Sequence, residues 1–170
     1  MKTTDNQNEL FDVVDVNDKV VGQTTRLRAN SNKDLIHRSI YVAVFNRKGG
    51  LYMQQRSESK DTDPLAWTIS CSGHVISGDT YENAAKRELW EELGVRLDLE
   101  YRSKILVRLE RETEMSVIYF AYSDGPFRLH PEEIKKGRFF TKKDLKKEAE
   151  KGEIKISASG ECVLSHINWI

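Results

Sequence analysis

The sequence predicts an α+β fold with a mixed sheet, and two features of the chain indicate this class. Short segments with strand-like patterns dominate the first half, and one strongly patterned helix lies between two groups of strands. No repeat, low-complexity tract or linker divides the 170 residues, which are enough to bury one core. We therefore expect one domain over residues 9–170, preceded by a polar, disordered N-terminus of residues 1–8.

The strands are predicted from β-branched and aromatic runs bounded by turn residues. The run IYVAVF, residues 40–45, is typical of a strand buried on both faces. Its hairpin partner follows the turn sequence NRKGG. The remaining predicted strands are two that flank the Asn17-Asp18 turn within residues 9–25, and single strands at 67–69, 105–109 and 116–122. Residues 26–34 are polar and are predicted to form a loop.

The best-formed helix is predicted to run from Thr80 to Leu93. Asp79 is its predicted N-cap, with Glu82 three residues later as in a capping box. Gly94 follows the last helical residue, where glycine commonly ends a helix. A second, solvated helix is predicted over the sequence DLKKEAEKG, with Thr141 as its cap.

The composition excludes several classes of partner and location. The formal net charge is zero, so no overall field draws the protein to a nucleic acid polymer or a membrane. No apolar run reaches the roughly 18 residues that a membrane span needs, and the N-terminus lacks a signal-type apolar stretch. Two cysteines, Cys71 and Cys162, are too few for a disulfide scaffold. We expect a cytoplasmic protein, and a small phosphorylated ligand remains compatible with its charge.

Three carboxylates on the main helix indicate a metal site. Glu88, Glu91 and Glu92 are spaced i, i+3 and i+4, so they share one helix face. Like charges at this spacing repel by a few tenths of a kcal/mol, whereas a divalent cation would turn the repulsion into binding. Mg²⁺ prefers such oxygen ligands and also recruits substrate phosphates. The alternative is a solvated acidic face, and the glycine-containing loop before the helix, Arg87 and Gly94 favour the metal site.

Residues 73–95, GHVISGDTYENAAKRELWEELGV, resemble the Nudix box: a glycine, five residues, Glu, seven residues, then Arg-Glu-apolar-x-Glu-Glu-x-Gly-apolar. The matching residues are Gly73, Arg87, Glu88, Leu89, Glu91, Glu92, Gly94 and Val95, whereas Asp79 replaces the first Glu. The resemblance implies an α/β/α sandwich and hydrolysis of a phosphoanhydride bond. It implies that Glu88, Glu91, Glu92 and the Gly73 carbonyl bind Mg²⁺, with Mn²⁺ as the alternative. We expect Arg87 to orient the glutamates through Asp79 and Glu88.

A wider stretch, residues 37–74, is similar to the isopentenyl-diphosphate isomerase branch of the same superfamily. The similarity implies that His37 and His74 bind metal, and that Arg56 and Lys60 hold the substrate diphosphate. It further implies that Glu112 and Glu114 supply a metal ligand and a catalytic carboxylate.

Three departures from that branch favour hydrolysis over isomerisation. The isomerases carry a catalytic Cys directly before the box glycine, where this sequence has Ser72, with Cys71 one place earlier. They also lack the full Arg-Glu-x-x-Glu-Glu set that is intact here. A further metal-binding histidine is expected before His37, and residues 26–36 contain none.

We therefore expect hydrolysis of a nucleoside di- or triphosphate or a derivative, with Glu88 or Glu114 as the general base. Three alternatives stay open. They are isopentenyl-diphosphate isomerase activity, a non-catalytic domain that senses nucleotides or binds proteins, and a structural protein with an acidic face. Nudix proteins often form dimers, so the resemblance is also compatible with a homodimer.

Overall fold

A computed structural model describes residues 6–60 and 62–170. Most of the N-terminus that was predicted to be disordered, residues 1–8, lies outside the described residues. Residues 6–8 form a turn, in which the Gln7 carbonyl accepts a hydrogen bond from the Leu27 N–H at 3.1 Å.

The described residues form nine strands and four helices. The strands are β1 (Leu10–Val14), β2 (Val20–Thr25), β3 (Ile36–Phe45), β4 (Leu51–Arg56), β5 (Trp67–Thr68), β6 (Cys71–His74), β7 (Glu100–Arg108), β8 (Thr113–Tyr122) and β9 (Ile134–Phe140). The helices are α1 (Arg26–Ala29), α2 (Tyr81–Leu93), α3 (Lys142–Glu150) and α4 (Ala158–His166).

Strand β3 organises the mixed sheet. It pairs parallel with β8 along its whole length and antiparallel with β1, β4 and β6. Outside these neighbours, β2 pairs with β1, β5 and β9 pair with β4, and β7 pairs with β8. The predicted mixed sheet is therefore confirmed, and the strands next to β3 come from distant parts of the chain.

Alternation along β3 divides the core into two layers. Ile40, Val42 and Val44 face α2 and pack with its buried residues, which include Leu89 and Leu93. Tyr41 and Ala43 face the other way and pack with residues of α3 and α4, including Leu145, Val163 and Leu164. With helices on both faces of the sheet, the α/β/α sandwich is confirmed.

The main helix begins at Tyr81, one residue later than predicted. Thr80 is the N-cap, because its side chain accepts a hydrogen bond from the Asn83 N–H at 3.2 Å. The prediction that Asp79 caps the helix was wrong: the Asp79 carboxylate accepts the Thr80 N–H at 2.7 Å instead. Asp and Thr both cap helices well, so the adjacent pair Asp79-Thr80 does not decide which of the two residues is the N-cap. The second predicted helix is confirmed as α3, with Thr141 as its cap.

The sequence did not predict α1, β6, β9 or α4. Strand β6 has the sequence CSGH, and its glycine, Gly73, is a residue type that is depleted in strands. Helix α4, with the sequence ASGECVLSH, contains Ser and Gly, which are weak helix formers. In the described part of the chain, no helix is both long enough and apolar enough to cross a membrane.

The end of α2 gives a prediction about stability. Gly94 has φ of +67°, and an added Cβ would lie 3.0 Å from the Arg128 Cβ. Gly94→Ala should therefore lower the free energy of unfolding in urea by about 1–3 kcal/mol. Gly22→Ala is the matched control, since no heavy atom lies within 4 Å of a Cβ at that position. Equal stabilities of the two variants would contradict this account of the helix end.

Candidate metal and substrate site

The register of three strands places polar side chains on the sheet face opposite α2. His37 of β3 is paired with Glu114 of β8, and Ser39 is paired with both Ser116 of β8 and His74 of β6. Because side chains alternate along a strand, these residues point to the same side. The sheet thus builds a polar patch at the end of the face that α3 and α4 cover further along.

Four residues of this patch and its edge form a cluster with metal-ligand chemistry. The ligand atoms of His37, His74, Glu112 and Glu114 lie within 4.8 Å of one another, and among the described residues this is the group that meets that distance. His74 Nε2 lies 3.5 Å from Glu114 Oε1. His37 Nε2 lies 3.9 Å from both Glu112 Oε2 and Glu114 Oε1.

Phe11 of β1 fixes the two imidazole rings. It is fully buried, and its ring stacks on His37 with centroids 5.4 Å apart and on His74 with centroids 4.8 Å apart. The two imidazoles lie 5.1 Å apart. Both ring nitrogens of His37 are buried without a hydrogen-bond partner in the described chain. Such orphaned nitrogens are costly unless a ligand satisfies them.

The charge states of the cluster suit a cation. Burial and the nearby His74 lower the pKa of His37 to about 3, so its imidazole is neutral at pH 7 and can donate a lone pair. Burial acts to raise the pKa of Glu114, but its neighbours, first His74 and then the hydrogen bond from Tyr41, lower it well below its usual value. A neutral imidazole beside the ionised Glu114 carboxylate fits a divalent metal.

The box glutamates of α2 lie on the other side of β6. Glu88 Oε1 accepts a hydrogen bond from Arg87 Nη1 at 2.7 Å, and Glu92 Oε2 accepts one from Gln54 Nε2 at 2.8 Å. Burial and the charge of Glu92 raise the pKa of Glu88 to about 8. Burial and the charge of Glu133 raise the pKa of Glu92 to about 7. The Glu91 side chain, by contrast, is 54% exposed.

Gly73 lets α2 approach the sheet at this point. A Cβ on Gly73 would lie 2.3 Å from the Glu88 carboxyl carbon. The glycine that opens the box is therefore required by the contact between β6 and the Glu88 side chain.

The structure changes one role that was predicted for Arg87. Its guanidinium contacts Glu88 and Glu91, as expected of a residue that orients the glutamates, and Nη2 donates to the His74 carbonyl at 3.0 Å. The predicted pair with Asp79 was wrong, since Arg87 forms no ion pair with it in the described chain. The shorter Asp79 carboxylate is engaged by the Thr80 backbone instead. Arg87 thus ties α2 to β6, between the two groups of acidic residues.

One cavity of about 380 Å³ brings the two groups together. Nearly all the site residues proposed from the sequence line it: Arg56, Lys60, Gly73, His74, Arg87, Glu88, Glu91, Glu92, Glu112 and Glu114. His37 is not among the lining residues and lies fully buried behind them. Arg56 donates hydrogen bonds to the Thr62 carbonyl and hydroxyl, and Lys60 lies 2.7 Å from Glu133. Both cations line the cavity with these partners.

A family model described as the NUDIX domain matches residues 35–159. The chain belongs to the Nudix family.

Its relatives within the family carry two kinds of name. Isopentenyl-diphosphate Delta-isomerase 1 of Mus musculus is 32% identical, over 88% of this chain and 78% of its own length. An uncharacterized Nudix hydrolase of Listeria monocytogenes is also 32% identical, over 85% of this chain and 87% of its own. The crystal structure of DR0079 from Deinococcus radiodurans matches with a TM-score of 0.78 and 29% identity, covering 91% of this chain and 97% of the other. The chain is thus a Nudix protein of the isomerase-like branch, and its family supports an enzyme that acts on pyrophosphate bonds.

The two residues before the box glycine point to opposite faces of this Nudix sheet. Ser72 lines the cavity. Cys71 is fully buried, and burial together with the charges of Glu92 and Glu88 raises the pKa of its thiol well above the ordinary value. A buried thiol that stays protonated is a poor nucleophile or acid–base group, so Cys71 cannot replace the missing cysteine at position 72.

Several cavity residues were missed from the sequence. They include Arg26, Asn30, Ser39, Tyr41, Gln54, His130, Glu133 and Ser159. A signal for two of them was present, because Ser39 and Tyr41 follow His37 at every second position of β3 and therefore share its face. Residues 40–44 are buried, as predicted for a strand that is covered on both faces. That prediction did not include the polar residues at the start of β3.

The Nudix glycine gives a prediction about the site. Gly73→Ala should displace the Glu88 side chain, because its carboxyl group occupies the space that the methyl group needs. We expect at least about a 10-fold weaker affinity for Mn²⁺ in titration calorimetry, with a circular dichroism spectrum like that of the wild type. Gly22→Ala serves as the control, since nothing lies within 4 Å of a Cβ at that position and its φ is not in the left-handed region. Wild-type Mn²⁺ affinity in Gly73→Ala would contradict the assigned contact.

The raised pKa values give a second prediction. A carboxyl group whose pKa is higher in the folded state stabilises the fold fully at low pH and loses that contribution as the pH rises through its folded pKa. The melting temperature of the metal-free protein should therefore fall by several degrees between pH 6 and pH 8.5, as Glu88 and Glu92 ionise at about 8 and 7. Added Mn²⁺ should reverse the fall at pH 8.5.

Glu92→Gln should flatten this pH dependence, because the variant cannot ionise at position 92. Glu82→Gln, on the exposed side of the same helix and paired with Lys86, should keep it. A metal-free melting temperature that is constant from pH 6 to pH 8.5 would contradict the account of the buried glutamates.

Proposed function

We propose that this Nudix protein hydrolyses a phosphoanhydride bond in a nucleoside diphosphate or triphosphate, or a derivative, with Mg²⁺ or Mn²⁺. The observation that carries the proposal is the shared cavity. Carboxylates of α2, the cluster of His37, His74, Glu112 and Glu114, and the cations Arg56 and Lys60 meet there. A small diphosphate ligand needs metal-binding acids next to cationic groups.

The donor sets indicate which residues would hold metal. Glu88, Glu91 and Glu92, with the Gly73 carbonyl, offer only oxygen atoms and suit Mg²⁺. The second cluster combines two imidazoles with two carboxylates, and nitrogen donors favour a transition metal such as Mn²⁺ over Mg²⁺. When bound, a divalent cation would neutralise the diphosphate and lower the pKa of a water molecule.

The chain's own residues supply the remaining steps. Arg56 and Lys60 bind the phosphate oxygens and stabilise the charge that develops on the departing phosphate. Arg87 holds Glu88 in position through the 2.7 Å hydrogen bond. Glu88 or Glu114 accepts a proton from the attacking water, which approaches phosphorus in line with the leaving group.

Isomerisation of isopentenyl diphosphate is the second candidate function. The identity of 32% to the mouse isomerase favours it, and so does the presence of His37, His74, Glu112 and Glu114 at positions that resemble that branch. Ser72 weighs against it, because a serine hydroxyl is a much weaker acid and nucleophile than the thiol that the isomerases place there. Retention of all three box glutamates also favours the hydrolase.

One screen separates the candidates. Purified protein with Mn²⁺ or Mg²⁺ is incubated with a panel of nucleoside di- and triphosphates, and released phosphate, pyrophosphate and monophosphate are measured. Parallel samples with isopentenyl diphosphate are analysed for its five-carbon isomer. We expect metal-dependent release from at least one nucleotide and no isomer. Isomer formation without nucleotide hydrolysis would establish the second candidate, and tight nucleotide binding without turnover would indicate a sensor domain.

The box carboxylates give a prediction about this turnover. Glu92→Gln should lower kcat by at least about 100-fold at saturating metal, because the amide carries no charge to bind a cation. Glu82→Gln, exposed on the same helix, should keep wild-type kcat. The circular dichroism spectra of both variants should match that of the wild type, which shows that the fold is retained. Full activity in Glu92→Gln would refute the metal role of the box.

A further inference from the structure

The two oxygens of Glu114 have different surroundings. Oε1 faces the imidazoles, at 3.5 Å from His74 Nε2 and 3.9 Å from His37 Nε2. Oε2 faces the other way and accepts hydrogen bonds from the Tyr41 hydroxyl at 2.7 Å and the Ser39 hydroxyl at 3.0 Å. The residue is almost fully buried, with 4% of its surface exposed. Its carboxyl group is therefore held in one orientation.

The hydroxyl groups form a chain with a definite direction. Ser39 Oγ lies 2.7 Å from Ser116 Oγ in a buried contact, because the two residues are directly paired between the parallel strands β3 and β8. A hydroxyl group donates only one hydrogen bond, and the carboxylate is the stronger acceptor. Ser39 therefore donates to Glu114, and Ser116 donates to Ser39. None of these hydroxyl protons is directed toward Oε1, which lies on the side of the imidazoles.

The strand register produces this arrangement. Ser39 and Tyr41 share a face of β3 with His37, and the parallel pairing of β3 with β8 sets Glu114 opposite His37. Tyr41 is 3% exposed, and its hydroxyl reaches Glu114 along that face. Both hydroxyl residues also line the cavity.

We infer that Tyr41 and Ser39 are positioning residues, which hold Glu114 Oε2 so that Oε1 is presented to a metal shared with His37, His74 and Glu112. The inference rests on the metal site of the proposed function and adds two residues to it. Hydrogen bonds from such supporting groups orient the ligand, and losing one commonly weakens metal affinity by about 10- to 100-fold. Tyr41 is the stronger of the two, because its hydrogen bond is shorter.

Co²⁺ is a suitable probe, because it is paramagnetic and shifts the NMR signals of imidazoles that ligate it. The box glutamates carry no imidazole, so ring signals with the large contact shift of a direct metal ligand report the cluster of His37 and His74. Titration of the metal-free protein with Co²⁺ gives the affinity of this cluster. The melting temperature of the metal-free protein is measured alongside, to detect a purely structural effect.

Tyr41→Phe removes the hydroxyl and keeps the ring. We expect its Co²⁺ dissociation constant to rise at least about 10-fold, with the shifted imidazole signals changed in position. Ser39→Ala should raise the constant by a smaller factor, and it decides the question if Tyr41→Phe does not fold. Tyr119→Phe is the matched control, because this buried tyrosine belongs to β8 but packs in the layer of α2. It should bind Co²⁺ like the wild type.

The outcomes separate this inference from the proposed function. Wild-type Co²⁺ affinity in Tyr41→Phe and Ser39→Ala would overturn the positioning role while leaving the metal site standing. Equal losses in Tyr41→Phe and Tyr119→Phe would also overturn it, since packing alone would then explain the effect. If the wild type itself shows no shifted imidazole signals, the metal site fails and the positioning role fails with it.

Discussion

The two buried glutamates of the box, Glu88 and Glu92, have little positive charge beside them, and the site is organised around that imbalance. Glu92 accepts a hydrogen bond from Gln54, and the charge of Glu133 raises its pKa more than Lys60 lowers it; among the described residues, the cation in contact with Glu88 is Arg87. Burial of an anion is costly unless it is paired. A fold would gain stability from apolar residues at these positions, so their presence points to a ligand that carries positive charge into the cavity.

The sheet explains how two groups of acids come to share one cavity. Strand β6 lies at the boundary, with Gly73 against the Glu88 side chain and His74 in the cluster on the opposite face. Arg87 spans the boundary from α2 to the His74 carbonyl. Because β6 contains a glycine at this point, the helix carboxylates and the histidine cluster approach each other without an intervening side chain.

Local sequence patterns predicted the helix of the box well, whereas they could not predict which distant strands pair in the sheet. The spacing of Glu88, Glu91 and Glu92 and the following Gly94 defined α2 to within one residue, because helical contacts are local. Its cap was misplaced because adjacent Asp79 and Thr80 are both good caps. The Ser39–Glu114 contact joins residues 75 positions apart, and no local pattern encodes the parallel register of β3 with β8. The sequence places Ser39 and Tyr41 at alternate positions of one strand, but their hydrogen bonds to Glu114 could not be predicted without the register of β3 with β8.

The central claim is that the acidic and histidine side chains of the cavity bind divalent metal. Anomalous diffraction from crystals soaked in Mn²⁺ tests it most directly, because the ion is located by its own scattering. The account predicts an anomalous peak beside Glu88 and Glu92 and another within ligand distance of His37, His74 and Glu114. A cavity without anomalous density, with Glu92 still bonded to Gln54 and Glu88 still bonded to Arg87, would contradict it.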